Sequence, residues 1–266
     1  MAKISKVATK AHNEAEELVA SEKILNDDER MFVLENWSPL QSHNIGQAGA
    51  FFTPYELACD TMIELPEDAT TVIDLCAGIG MLTFCAWQKF RWQRDMPKFI
   101  CVEINPNFVR VGRKVMPEAT WIQGSVMDKS ILDQILTFVD DPETAVVISN
   151  PPFGTTRMFR EECDVDLRYT GNLFEYAVMD VSSRFSTFGI FIIPQGSAPF
   201  EFSGKRTYKL KVNQDGNPSN DKYNKFHEET GLALGMNCGI DTQHALEQWV
   251  GTRILTEICL LSNNPD

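Results

Sequence analysis

The run Asn150-Pro151-Pro152-Phe153 follows the apolar stretch Thr144-Ala-Val-Val-Ile-Ser149 without a break and leads into Gly154. Val146, Val147 and Ile148 read as a buried parallel strand, and two prolines directly after it must end the ladder and hold a stiff, extended loop. Such a loop lies beyond the carboxyl ends of the strands, where open α/β sheets bind ligands. An exocyclic amine on an aromatic ring is a poor nucleophile, because its lone pair is delocalised. The Asn150 side-chain oxygen and the Pro151 carbonyl could together accept both of its N–H bonds, drawing the nitrogen toward a tetrahedral geometry and aiming its lone pair at a donor. Orientation and preorganised acceptors supply such catalysis, so no strongly perturbed acid or base is required. Phe153 adds a face on which a planar ring can stack. The tetrapeptide reads as an amine-methylating site; as plain structure it is a proline-rich turn after a strand.

A second set of residues could hold a cofactor. Val72-Ile-Asp-Leu-Cys-Ala-Gly-Ile-Gly80 is a strand running into a glycine-rich turn, and Met81-Leu-Thr-Phe-Cys-Ala-Trp87 continues it as a helix. Gly78 and Gly80 let the backbone approach a ligand closely, and the helix N-terminus offers N–H groups to a carboxylate or phosphate. Asp74 precedes the turn, and Glu103 ends the next strand, where a carboxylate can accept hydrogen bonds from both hydroxyls of a ribose. The third glycine of a dinucleotide fingerprint is absent around Phe84, which favours a nucleoside without a pyrophosphate.

With Asp74, Cys76, Gly78 and Gly80 in these positions, the chain resembles the class I S-adenosylmethionine-dependent methyltransferases, whose glycine motif is Asp-x-(Phe/Gly/Cys)-x-Gly-x-Gly. The resemblance implies S-adenosyl-L-methionine as cofactor, with Glu103 on its ribose and Ile104 beside it. A third family motif, usually Gly-Asp, corresponds to Gln123-Gly-Ser-Val-Met-Asp128. Ser125 replaces the usual Asp, so the contact to the cofactor's adenine passes to Asp128 or is weaker. Phe51-Phe52-Thr53-Pro54 is similar to the Phe-(Phe/Tyr)-Thr-Pro motif of N6-adenine DNA methyltransferases, which closes over the methionine moiety. Read as structure alone, Thr53 as N-cap, Pro54 at the first helical position and Glu56 three residues after the cap form a capping box, opening a helix through Leu57, Met62 and Ile63. The resemblance covers roughly residues 45 to 195 and the last strand. It implies catalytic roles for Asn150, Pro151, Pro152 and Phe153, and cofactor contacts from Phe52, Thr53, Pro54, Asp74, Cys76, Gly78, Gly80, Glu103, Ile104, Ser125, Asp128 and Asn150. For the substrate it leaves Phe153 and the basic strip around Lys205 and Arg206.

These residues need a doubly wound sheet to bring them together. Strands are predicted at Thr71 to Leu75, Phe99 to Glu103, near Trp121-Ile122, Ala145 to Ser149 and Gly189 to Ile193, with helices between them implying right-handed crossovers. Arg253 to Leu261 reads as a final strand. The predicted fold is α/β: a mostly parallel, seven-stranded Rossmann-like methyltransferase sheet with an antiparallel final strand and an N-terminal helical extension. The expected division is an extension over 1–44, patterned as helix at Ala11 to Val19 and Asp28 to Glu35, and a catalytic domain over 45–266. Within the latter, 196–250 reads as a substrate-facing insertion, with a mobile loop over Asn213 to Asn220.

The chain has 266 residues, a formal net charge of −13 and seven cysteines. No apolar run spans a membrane and no signal segment opens the chain, so a soluble cytoplasmic protein of a bacterium or phage-infected host is expected. The cysteines form no C-x-x-C pair, and no metal site is expected; reduced, mostly core thiols are. The acidity argues against coating nucleic acid by bulk electrostatics. A local strip, Gly204-Lys-Arg-Thr-Tyr-Lys-Leu-Lys211, could still serve; as plain structure it is a solvated hairpin face. Four functions stand: methylation of adenine N6 in DNA by an orphan or phage-type enzyme, N-methylation of adenine or guanine in ribosomal RNA, methylation of a protein glutamine amide, and a non-enzymatic binding protein on the same fold. DNA is favoured over RNA as partner, with recognition expected from the 196–250 insertion and the N-terminal helices, and a partner subunit or homodimer is a further expectation.

Overall fold

The apolar runs of the central segment form five parallel strands: β1 Thr71–Leu75, β2 Lys98–Glu103, β3 Thr120–Gln123, β4 Ala145–Ser149 and β5 Phe188–Pro194. In the computed structural model the described residues are 6–38, 51–153, 163–214, 216, 218–250 and 252–263. Every residue of β1 and β4 is buried, as strands covered by helices on both faces must be. The covering helices are α3 Tyr55–Thr61, α4 Met81–Phe90, α5 Pro106–Val115, α6 Lys129–Leu136 and α7 Phe174–Ser182.

Two short strands lie within the expected insertion, β6 Phe200–Glu201 and β7 Lys209–Leu210, which pair as a hairpin, and helix α8 Asp221–Thr230 follows. The seventh sheet strand also lies there: β8 Ala233–Met236. It pairs with β9 Thr256–Ser262, so the sheet order is β3-β2-β1-β4-β5-β9-β8. β9 is antiparallel to both β5 and β8, and β8 therefore points the same way as the five parallel strands. The final strand starts at Thr256 rather than Arg253, where pairing with Pro194 begins. Chain order reverses between β1 and β4, and this switch point is where ligands bind in such sheets.

The 196–250 segment is therefore part of the fold. Glu257, fully buried on β9, accepts from Gln195 Nε2 at 2.6 Å, the Phe202 N–H at 2.8 Å and the Ser203 hydroxyl at 2.8 Å. One buried carboxylate thus ties the hairpin to the sheet. Positions 215 and 217 of the expected mobile loop lie outside the described residues, as do Gly154 and the glycine-bearing 44–50 segment with the 44/45 boundary.

At the N-terminus, α1 Lys6–Ala20 and α2 Asp27–Asn36 form as the pattern predicts. Asn26 caps α2 in a reciprocal box with Glu29, at 2.9 and 3.1 Å. Ala15, Val19, Val33, Leu34 and Trp37 share one core with Ala58, Phe84 and Phe108. Arg30 is buried beneath them, bidentate to Glu118 at 2.8 and 3.0 Å and lying 5.1 Å from the Trp87 ring centroid. Among the described residues no helix is long and apolar enough to cross a membrane.

Candidate active site

The loops leaving β1, β2 and β4 converge with the Phe51–Thr53 segment around one cavity at the switch point. On one side stands Asp74, 1% exposed, whose Oδ2 accepts from the Thr83 hydroxyl at 2.7 Å. Its Oδ1 is buried and has no hydrogen-bond partner among the described residues. Burial, with the nearby Glu103 charge adding to it, pushes this carboxyl up to about 7 against the opposing Thr83 bonds. Glu103 crosses the cavity mouth with Oε2 accepting from the Gly78 N–H at 2.9 Å and Oε1 from the Asn105 N–H at 2.8 Å. Burial raises its pKa as well, while those N–H groups hold it down. The Ile104 N–H also bonds the carboxylate, which still has acceptor capacity for a further donor.

The turn between them is left-handed at Cys76 (φ 62°), Gly78 (φ 58°) and Gly80 (φ 93°). Cys76 is the single non-glycine residue with positive φ among the described residues, a conformation costing about 1–3 kcal/mol. At Gly78 a Cβ would only touch the Phe52 ring, at 3.4 Å, so it is the left-handed backbone that calls for glycine there.

On the other side, Asn150 Nδ2 donates to the Phe51 carbonyl and to Thr53 Oγ1, both at 3.0 Å. A carbonyl can only accept, so the amide nitrogen must face Phe51 and the orientation of the group is fixed. Its Oδ1 is buried and without a partner among the described residues. Pro151 and Pro152 line the same cavity. Phe153, 1% exposed, lies against Phe51 (ring centroids 5.5 Å apart, 35° tilt) and edge-on to Trp249 at 6.2 Å.

The capping box expected at Thr53 is not formed. Helix α3 starts at Tyr55 with Pro54 in the cap position and no side-chain cap. Thr53 Oγ1 instead accepts from Asn150, and the Glu56 carboxylate accepts from Gln248 Nε2. Tertiary partners far along the chain displaced the local pairing, and Met62 and Ile63 pass into a 3-10 turn.

Of the predicted site residues, Phe52, Thr53, Asp74, Cys76, Gly78, Glu103, Ile104, Ser125 and Asn150 to Phe153 line this one cavity, while Pro54, Gly80, Asp128, Lys205 and Arg206 do not. Gly80 forms the left-handed N-cap of α4. Asp128 caps α6 through the Ser130 N–H at 2.8 Å, and Ser125 Oγ accepts from the Met127 N–H at 3.1 Å. Lys205 pairs with Glu201 at 3.4 Å, and the Lys211 ammonium donates to the carbonyls of Gln195 and Ala198. Three of the seven thiols, Cys85, Cys101 and Cys259, are buried, fewer than expected; Cys59, Cys76 and Cys163 are half-buried and Cys238 is exposed. The described residues hold no group of three metal-ligating side chains.

Phe51 and Phe108 also line the cavity, and Phe108 carried no motif to mark it. Phe108 meets Phe52 edge-to-face at 5.2 Å, and Trp37 backs both rings at 5.9 and 6.3 Å. Trp37 Nε1 in turn donates to Glu16, which also pairs with Arg110 at 2.7 Å. The N-terminal helices thereby brace one wall of the cavity.

No family model matches the chain, and no curated protein matches its sequence. Solved structures do match in fold. A modification subunit assigned to a type I restriction enzyme of Vibrio vulnificus superposes with a TM-score of 0.55 at 11% identity, covering 91% of this chain and 51% of its own. The type I restriction-modification methyltransferase subunit of Streptococcus thermophilus gives 0.53 at 16%, covering 92% and 52%. A Listeria monocytogenes protein assigned as a class I S-adenosylmethionine-dependent methyltransferase gives 0.51 at 13%, covering 98% and 81%. The chain thus has the Rossmann-like methyltransferase fold, and it spans about half the length of the two restriction-system subunits.

Proposed function

We propose that the chain is an S-adenosylmethionine-dependent methyltransferase acting on the exocyclic N6 amine of adenine in DNA. The observation that carries this reading is the Asn150 amide at the cavity, whose nitrogen is anchored twice while its buried oxygen has no partner among the described residues. A buried acceptor without a partner costs about 1–3 kcal/mol, which a substrate N–H would recover.

The residues present also fit the cofactor. Glu103 offers its remaining acceptor capacity to ribose hydroxyls, Asp74 Oδ1 is open to a donor on the amino-acid moiety, and Gly78 lets the backbone come close. Bound there, the cofactor supplies a methyl group on a sulfonium sulfur. Asn150 Oδ1 and the Pro151 carbonyl accept the two amine N–H bonds and stabilise the positive charge that grows on nitrogen as it takes the methyl. Phe153 and Phe51 give a planar base a stacking surface, worth about 1–3 kcal/mol per base. A duplex target must be flipped out to reach it.

The restriction-system names of two structural neighbours support DNA over RNA as the substrate. Recognition would then fall to the 196–250 segment with Lys205 and Arg206, the N-terminal helices, and a partner subunit. A second reading, methylation of a protein glutamine amide, is favoured by one observation: Lys205 and Lys211 are both engaged within their own segment, on a chain of charge −13. Purified protein with methyl-labelled S-adenosylmethionine, offered separately duplex DNA, ribosomal RNA and a protein extract, decides between them. Label recovered as N6-methyladenine from DNA is the expected result; label confined to RNA or protein overturns the choice of substrate.

A further inference from the structure

The α3 and α4 helices, which start beside the Asn150 clasp and the cofactor loop, face each other through two sulfur atoms. Cys59 Sγ and Cys85 Sγ are 3.3 Å apart, and one turn away the Tyr55 hydroxyl donates to Gln88 Oε1 at 3.2 Å. Cys59 is half-buried and reachable, whereas Cys85 is 3% exposed behind it. The other cysteines have no such partner: Cys101 lies 3.2 Å from the Thr83 hydroxyl, Cys163 donates to the Val165 carbonyl, and Cys238 stands exposed. We propose that Cys59 and Cys85 form a reversible redox site that reacts with low-molecular-weight disulfides and closes as a disulfide joining α3 to α4.

An outer attacking thiol with a buried resolving thiol behind it is the arrangement that favours an intramolecular bond over a lasting adduct. The S–H of Cys85, helped by the Tyr55 hydroxyl when its single proton turns from Gln88 to the sulfur, stabilises the Cys59 thiolate against burial and the neighbouring Asp60 charge and brings its pKa down to about 7. Cys59 thiolate attacks one sulfur of glutathione disulfide, whose S–S bond breaks and releases the first glutathione, which takes up a proton. Cys85 then gives up its proton and attacks the Cys59 sulfur, expelling the second glutathione. The two protein thiols lose two electrons and two protons, and glutathione disulfide is reduced to two glutathiones. A disulfide S–S bond is about 2.0 Å long, so the sulfurs need to close by roughly 1.3 Å, within reach of side-chain rotation.

The test uses the full chain in glutathione buffers of rising disulfide content, followed by alkylation of free thiols and peptide mass spectrometry. A Cys59–Cys85 linked peptide lacking two hydrogens is expected, with Cys238 carrying glutathione instead. Cys59→Ala, at the half-buried position, should abolish the link and leave Cys85 as a free thiol. The oxidised wild type should also melt roughly 5–10 °C higher than the reduced form, because the bond closes a loop between two helices in the unfolded chain. A lasting glutathione adduct on Cys59 beside a free Cys85, an unreacted Cys59 where Cys238 has reacted, or a lowered Tm overturns the proposal. The bond itself is the readout, so this result stands apart from whether the chain transfers methyl groups.

Discussion

Asp74 and Asn150 each bury one side-chain oxygen that has no partner among the described residues, and both residues line the same cavity. A fold tolerates such atoms where a ligand supplies the missing donors. For Asp74 this has a pH signature. Its carboxyl ordinarily titrates near 3.8, and in the fold burial raises it to about 7. Between these values the folded protein holds a proton that the unfolded chain has lost, so the Asp74 contribution to stability is fully present at low pH and is lost as pH rises through the folded value. The Tm of the cofactor-free protein should therefore fall between about pH 4 and pH 7 and level off above, and Asp74→Asn should flatten that slope. Identical slopes in the two proteins, measured by calorimetry, would show that Asp74 does not titrate in this window. That Asp74, Glu103 and Asn150 lie around one cavity was legible in the sequence, because each sits at or beside the end of an apolar run that declares a strand. The left-handed Cys76 was not, since nothing in its type separates it from an ordinary turn residue.

At the scale of elements, the clasp is a contact across nearly a hundred residues. The sequence showed Thr53 beside a helix start and assigned it to a local capping box, because spacing reveals only local partners. Asn150 Nδ2 is the partner that won. The seventh strand, Ala233-Leu-Gly-Met236, escaped for a related reason: it has neither β-branched residues nor strict alternation, and it forms because β9 offers it an edge. The aromatic brace of Trp37, Phe52 and Phe108 joins α2 to the cavity wall and carried no motif. Removing a buried Trp costs about 3–5 kcal/mol. Trp37→Ala should accordingly lower the Tm and weaken cofactor binding several-fold by titration calorimetry, while Trp92→Ala, at an exposed ring, should do neither. Unchanged cofactor affinity in Trp37→Ala would detach the N-terminal helices from the site.

For the whole molecule, the mostly parallel, doubly wound sheet and its antiparallel final strand were legible from the alternation of apolar runs and helices, whereas the strand order was not. Nor was the place of the 196–250 segment, because its anchoring depends on one buried glutamate on a distant strand. Charge sets the expected mode of DNA binding. With a net charge of −13, and with Lys205 and Lys211 engaged in place, the basic strip offers few cations to phosphates. Binding to duplex DNA should show a log K against log salt slope no steeper than about −3, and a slope near −7 would reveal a basic surface that this account lacks. In the proposed reaction the main work of Asn150 is to hold the methyl acceptor. The most direct test compares wild type with Asn150→Ala by S-adenosylmethionine affinity and single-turnover methyl transfer to duplex DNA in parallel. Asn150→Ala should reduce transfer at least about 100-fold with cofactor affinity nearly unchanged; retained transfer, or loss of cofactor binding in its place, would show that this loop is not the methyl-acceptor site.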